Sequence, residues 1–396
     1  MSKVVVAGVG MVPFKKPGAS GNYIEMGAEA ARLALADAGI GYDKVQQAYA
    51  GYVFGDSTCG QAALYPVGMT QIPIINVNNN CSTGSSALFL ARQAVESGAV
   101  DCAIALGFEQ MQPGALVSVF TDRPGPMDRT LALTAELNPE AVEAGVPMAL
   151  LQFGGAGKEH MEKYGTKLET FAKIRAKASR HAANNPLAVF RNVVSADDVM
   201  AAPVMWPGVM TRLMACPPTC GAAAAIICSE DFAKKHGLNR DVHILAQSMT
   251  TDSPALFDDR SMIQVVGFDM AKEAARQVYD HAGVSPSDIQ VLELHDCFAH
   301  NELLTYESLG LCPVGGAEKF VDDGDNTYGG KFVTNPSGGL LSKGHPLGAT
   351  GLAQCFELTR QLRGTAGSTQ VDGAKLALQH NLGLGGACVV TLYGRA

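Results

Sequence analysis

The sequence predicts an α/β protein built from a duplicated unit. The observations behind this are two helix-turn-strand segments matching at one spacing, two glycine-rich turns matching at another, and short apolar runs between amphipathic helical ones. Residues 25–39 (EMGAEAARLALADAG) and 269–283 (DMAKEAARQVYDHAG) share Met, Glu-Ala-Ala-Arg and Ala-Gly at an offset of 244, and Val45 then falls against Ile289. Each copy reads as a helix with an acidic first turn and a closing Gly, followed by a turn and a strand. Further on, NNNCSTGSSALFLARQ and SKGHPLGATGLAQCFE match when Cys81 is set against His345, Gly84 against Gly348 and Leu88 against Leu352, now at an offset of 264. Two copies packed about a pseudo-twofold axis, with sheets covered by helices, satisfy both spacings. Cys81 and His345 then occupy equivalent turns.

Taken in order, Val4–Ala7 reads as a first buried strand, Pro73–Val77 as the strand that delivers Cys81, and Cys102–Gly107 as the strand that follows its helix. In the second copy Val291–Leu294 and Ala374–Gln379 take the matching places. The segment from Phe120 to Leu213 has no counterpart and is an insertion, after which Ala222–Cys228 returns the chain to the first sheet. The expected division is a first half of 1–119 and 214–240, an inserted loop domain of 120–213, and a second half of 241–396.

With 396 residues and 47% hydrophobic residues the chain can bury a large core, and 17% charged residues is too few for a disordered chain. No run of eighteen apolar residues is available to cross a bilayer, and nothing at the N-terminus reads as a secretory signal. A net charge of −8 argues against nonspecific nucleic-acid binding. Ten cysteines at irregular spacings, several inside apolar runs as at Cys102, Cys228 and Cys388, read as reduced thiols of a cytoplasmic protein. Within the insertion, Gly155–Arg191 holds eight basic and three acidic residues. That is either a solvated helical face or a site for an anionic ligand, with Lys173, Arg175, Lys177 and Arg180 near its phosphates.

Four clusters carry chemistry. Asn78–Gly84 puts Cys81 at a turn between a strand and a helix, where the helix dipole and nearby amides favour a thiolate; the alternative is a structural Cys. Gly344-His345-Pro346, at the equivalent turn, supplies a base of suitable pKa. His295-Asp296-Cys297-Phe298 follows a strand and faces the same crevice. Its His-x-Cys-x-x-His spacing, with His300, also raises a zinc reading, although a strand-to-helix turn would splay those ligands. Asn381-Leu-Gly-Leu-Gly-Gly, between two strand-like runs, is a hairpin turn, a phosphate loop lacking the usual Lys, or an oxyanion donor beside a reactive cysteine.

NNNCSTGSSAL, HDCFAHNELLTYE, NPSGGLLSKGHPLGATG and HNLGLGG, in this order and covering essentially the whole chain, resemble the thiolase superfamily. The HDCF block is similar to that of sterol carrier protein type thiolases. The resemblance implies the thiolase fold, a layered αβαβα core with an inserted loop domain that covers CoA. The activity it implies is thiolytic cleavage of a 3-oxoacyl-CoA by CoA, or the reverse Claisen condensation. No lipid-transfer domain is seen after the last strand, so lipid transfer is not expected.

Carried over by motif, Cys81 is the acylated nucleophile and His345 takes its proton and helps polarise the thioester oxygen. Cys297 is the acid/base in place of the cysteine that other thiolases carry in a Cys-x-Gly motif, a position set here at Gly383. His295 joins His345 around the enolate oxygen, and the amides of Cys81 and Gly385 form a second oxyanion hole. Phe153, with Gly154 and Gly155, and the basic stretch are expected to contact CoA. Implied partners are acyl-CoA and CoA as substrates, with no resident cofactor, no metal, and a homodimer. Cys220 departs from the family pattern, standing where thiolases usually show Asp before Gly-Ala-Ala. The rivals are a decarboxylating ketoacyl synthase on the same fold, and a noncatalytic acyl-CoA-binding subunit or aldolase partner.

Overall fold

In the computed structural model of the chain, residues 3–114 and 120–396 are described. Five strands come from the first half: β1 (Val4–Met11), β2 (Gln47–Gly51), β3 (Ile74–Val77), β4 (Cys102–Glu109) and β5 (Gly221–Ser229). Five come from the second: β6 (Val242–Thr250), β7 (Val291–Glu293), β8 (Val333–Thr334), β9 (Leu376–Gly383) and β10 (Ala387–Arg395). The first set lies in the order β3-β2-β4-β5-β1 and the second in the order β8-β7-β9-β10-β6. The senses agree as well. β2 runs parallel to β3 and β4, and β7 to β8 and β9, while the remaining pairs in both sets are antiparallel. One topology is written twice, as the repeated motifs require. The sets meet at β1 and β6 through the single pair Val5 and His243.

Seven helices position the site: α1 (Tyr23–Ala38), α2 (Thr83–Glu96), α3 (Met148–Tyr164), α4 (Leu168–Ala182), α5 (Phe268–Ala282), α6 (Ala299–Ser308) and α7 (Thr350–Arg363). The repeated segment forms α1 and α5, and both stop at a left-handed glycine, Gly39 and Gly283. Asn22 and Glu25 close a capping box at the start of α1, satisfying two amides that a helix end leaves orphaned. α1 covers the outer face of the first set and α5 that of the second; α2 and α7 lie between the sets and touch strands of both. Helix, sheet, helix, sheet, helix is the αβαβα layering. Ala87, Leu88, Leu352 and Leu358 fill the middle layer together with Val6, Ala105, Ile227 and Tyr393.

The middle layer is tightest where the turns that precede α2 and α7 meet. A Cβ on Gly84 would stand 2.6 Å from the carbonyl oxygen of Gly348, its counterpart in the other copy. Contact between equivalent residues places the pseudo-twofold axis between them.

The strand Gly221–Ser229 inserts between β1 and β4, returning the chain to the first set. The insertion holds α3, α4 and a ribbon of Val204–Trp206 with Met210–Thr211. Leu151, Phe153, Phe171 and Trp206 share one core with Met262, Phe298 and Leu303 of the second half, so the insertion is welded to that half. The boundary expected after residue 119 abuts 115–119, outside the described residues. All ten cysteines are free, and no described helix is long and apolar enough to cross a membrane.

Candidate active site

Cys81 follows a backbone that the turn twists sharply: Asn80 has φ +50°, a left-handed conformation Asn tolerates better than most residues. Side chains hold it there. Asn80 Nδ2 donates to Leu384 O at 3.1 Å, Thr83 Oγ1 donates to Asn80 O at 2.6 Å, and the Asn79 amide donates to Thr83 Oγ1 at 2.8 Å. The turn aims Cys81 inward at the start of α2, 9% exposed.

Burial outweighs the helix terminus there. The Cys81 thiol is pushed up to about 12, first by desolvation and then by Glu109, while its own backbone amide lowers it less. The expected thiolate is therefore corrected to a neutral resting thiol. Glu109 itself is lifted by burial to about 7, although the amides of Val53, Phe54 and Gly348 donate to it.

His345 arrives from the equivalent turn. Its backbone amide donates to Thr219 Oγ1 at 2.6 Å, and its Nδ1 lies 2.7 Å from Thr350 Oγ1. That hydroxyl gives its proton to Pro346 O at 3.0 Å, so it accepts from His345 Nδ1–H. The lone pair is thereby placed on Nε2, which is buried with no protein partner. Burial keeps this ring neutral, depressed to about 3.

His295 comes off the end of β7 and meets the His345 ring edge-on, 5.0 Å between centroids. Donor atoms of Cys81, His295 and His345 all lie within 4.8 Å of one another. Cys297, two residues on, is not part of that 4.8 Å group: it is 4% exposed, and its thiol is held well above its ordinary value by burial, then by Cys216 and Cys81. The Cys216 amide donates to Cys297 O at 2.8 Å, so the loop from Ala215 to Cys220 ties the turn of Cys297 to that of His345. The neighbouring Asp296 carboxylate accepts from the amides of Leu340 and Leu341 and only fixes the turn.

The other expectations fare differently. Gly385 sits at the tip of the β9–β10 hairpin, its nearest neighbour the Met127 side chain. Gly383 is the glycine pressed against the Cys81 turn: a Cβ there would be 3.1 Å from Ser82 N and would collide with Asn79 O. From β9 the side chain that reaches the site is Asn381, whose amide donates to Cys81 O at 3.2 Å and lies 3.0 Å from His295 Nδ1. His300 turns away from any shared ligand position, stacking on Phe171 and pairing with Val209 O, so the His-x-Cys-x-x-His set is not assembled. Cys220 is a buried thiol donating to Met111 O at 3.4 Å.

The basic stretch is corrected most. Arg175 is buried and donates to Ser342 Oγ at 2.7 Å, and Lys177 is buried in an ion pair with Glu302 beside Thr334 and Tyr306. Neither can present charge to a phosphate from there. Lys173 pairs with Asp322 and Glu169, and Arg180 is exposed. Phe153 is buried and stacks on Phe298 at 4.7 Å, buttressing the turn of Cys297. Replacing Lys177 by Met should therefore destabilise the protein by about 3–5 kcal/mol, because Glu302 is left as an uncompensated buried charge. Urea denaturation measures this, and the apparent affinity for CoA should stay unchanged in the folded fraction.

Sequence reasoning passed over Asn381, Thr219, Thr350 and Glu109. Asn381 stands in the glycine-rich motif between the last two strands, where the glycines are the stronger local signal.

Comparison with known proteins agrees with this geometry. Residues 4–195 match the model for the thiolase N-terminal domain, and residues 256–393 match that for the thiolase C-terminal domain-like family. The chain is 58% identical over 397 residues to sterol carrier protein 2 of Homo sapiens, covering 99% of this chain and 72% of that protein. Among solved structures, the Ltp2-ChsH2(DUF35) aldolase superposes with a TM-score of 0.83 at 20% identity, covering 100% of this chain and 98% of that one. Human mitochondrial 3-ketoacyl-CoA thiolase in complex with CoA superposes with a TM-score of 0.73 at 20% identity, again covering 100% and 98%. Two matching halves, one fold and a cysteine facing two histidines lead to one conclusion: the chain belongs to the thiolase family, whose members are acyl-CoA acyltransferases.

Proposed function

We propose that the protein cleaves 3-oxoacyl-CoA with CoA, or runs the reverse condensation, through an acyl group on Cys81, in fatty-acid or sterol side-chain degradation. The observation that carries this is the convergence of Cys81, His295 and His345 within 4.8 Å, with the His345 lone pair unpartnered. As sulfur attacks the 3-oxo carbon, the Cys81 proton passes to His345 Nε2. The bond between carbons 2 and 3 breaks, leaving acyl-Cys81 and a CoA-ester enolate whose oxygen is held by His295 and His345. Cys297 protonates the enolate carbon and then takes the proton of the incoming CoA thiol. The CoA sulfur attacks the acyl carbonyl, and Cys81 leaves and recovers its proton from His345. The high proton affinity of Cys297 suits this role, since it releases its proton only to a strong base such as the enolate.

The amides of Cys81 and Gly385 are the two donors proposed for the tetrahedral intermediate. CoA would lie along the insertion, without Arg175 or Lys177. A homodimer and a cytoplasmic location are proposed from the resemblance and the free thiols. The strand Ile74–Val77 at the edge of its sheet is a surface where a second copy could add, and light scattering tests it.

The test is thiolysis of 3-oxoacyl-CoA substrates of short, long and branched chain, followed by the CoA-dependent appearance of the shortened acyl-CoA. An enzyme that releases an aldehyde or ketone and consumes no CoA would be an aldolase instead. Cys297→Ala should lower kcat about 10²–10⁴-fold while the affinity for CoA changes little, because the thiol handles a proton and not the bound nucleotide. Stopped-flow turnover measures it.

A further inference from the structure

The hydrogen bonds around His295 have a direction, and two backbone carbonyls set it. Gln379 Nε2 lies 2.8 Å from Gly351 O, which can only accept, so the amide nitrogen of Gln379 is on that side and its oxygen accepts from the Tyr393 hydroxyl. The second Gln379 N–H reaches Ser85 Oγ at 2.7 Å. Ser85, having accepted, gives its own proton to Asn381 Oδ1 at 2.7 Å. The Asn381 nitrogen is then the end that faces Cys81 O, the second carbonyl anchor, and its remaining N–H points at His295 Nδ1. A ring nitrogen that receives a proton donor carries the lone pair. Gln379, Tyr393, Ser85, Asn381 and His295 are buried to within about one per cent of complete.

We infer that Asn381 is a positioning residue: held by Ser85, Gln379 and Tyr393, it fixes His295 in the tautomer that turns Nε2–H toward the substrate oxygen. His345, fixed by Thr350, presents the opposite face of an imidazole, a lone pair on Nε2. The two rings thus divide the work before substrate arrives, one a base for Cys81 and the other a donor for developing negative charge. The triangle they form with Cys81 holds an N–H where a metal site would need a third lone pair, which suits proton transfer. The inference rests on the thiolase reading for its catalytic consequence, whereas the tautomer itself stands apart from it.

Asn381→Asp keeps the shape and reverses the bond. A carboxylate accepts from Nδ1–H, so a neutral His295 must carry its lone pair on Nε2 and lose the donor. Opposite charge also raises the pKa of His295, typically by about 1–3 units, but from a position that burial, then His345 and His380, hold well below the ordinary one; any imidazolium formed has Nε2–H again. The donor is present below that raised pKa and lost as pH rises through it. In the parent enzyme neutral His295 carries Nε2–H throughout. The titratable groups facing His295 are His345, His380 and Cys81, with Cys297 and Asp296 on its own turn. Burial holds both histidines near 3 and Cys81 near 12, and raises Cys297 and Asp296 well above their ordinary values. Glu109, near 7, titrates in parent and variant alike and cancels in their ratio.

The experiment has two arms. In nitrogen-15 histidine spectra of the unliganded full-length protein, assigned with His295→Gln, the His295 signal should be that of the Nε2–H tautomer; an Nδ1–H signal overturns the inference whatever the activity. In thiolysis assays Asn381→Asp should lose about 100-fold in kcat at pH 8 with KM for CoA nearly unchanged. A kcat at pH 8 equal to the parent's overturns it. Should Asn381→Asp fail to fold, Asn381→Ala removes the donor to Nδ1, and its spectrum should no longer show the Nε2–H tautomer alone. An Nε2–H parent with no thiolysis would count against the proposed function and leave the tautomer assignment standing.

Discussion

Cys81→Ser should abolish the covalent adduct that acetoacetyl-CoA leaves on the parent protein, and should lower thiolysis by roughly 10⁴-fold or more. The reasoning starts from position: Cys81 is the thiol within reach of two imidazoles, and the unpartnered Nε2 of His345 is the base available to it. A hydroxyl in its place is a far poorer nucleophile and an equally buried one, so the proton gap to His345 widens. Intact mass spectrometry before and after brief exposure to acetoacetyl-CoA reads the result directly, as a single acetyl increment on the parent and none on the variant. An adduct that persists on Cys81→Ser would place the nucleophile elsewhere.

Gly348→Ala should destabilise the protein by about 3 kcal/mol or more, the upper range for overpacking, because the methyl has nowhere to go. It would collide with Phe108 O, stand 2.7 Å from Gly51 O and 2.8 Å from the Tyr52 Cα. These are backbone atoms of the opposite half, which cannot swing aside as a side chain would. The Gly348 amide also donates to Glu109 at 2.9 Å, and His345 lies three residues away, so the variant should lose activity along with stability. Chemical denaturation followed by circular dichroism measures the first effect, and turnover of the folded fraction the second. A variant as stable as the parent would mean that the two halves can slide apart at their closest contact.

The duplication was legible because its signals are local. A capping residue, an apolar stripe and a closing glycine sit within one segment, and α1 and α5 form where the repeat says. The turns of Cys81 and His345 were legible for the same reason, since a strand, a small-residue turn and a helix follow one another directly. The basic stretch misled because its partners are remote. On α4, Lys177 meets Glu302 and Thr334, 125 and 157 residues further along, so charges that look surface-bound in sequence are turned inward by carboxylates that no window contains. Asn381 was hidden similarly: Ser85, which orients it, is 296 residues distant. The protonation of Cys81 was misjudged because a helix start is visible in sequence while the depth of the pocket that desolvates it is not.

A sulfur that keeps its proton while idle is also a poor target. With its thiol pushed up to about 12 by burial, Cys81 should react slowly with iodoacetamide at neutral pH, and mass spectrometry of the treated protein measures this.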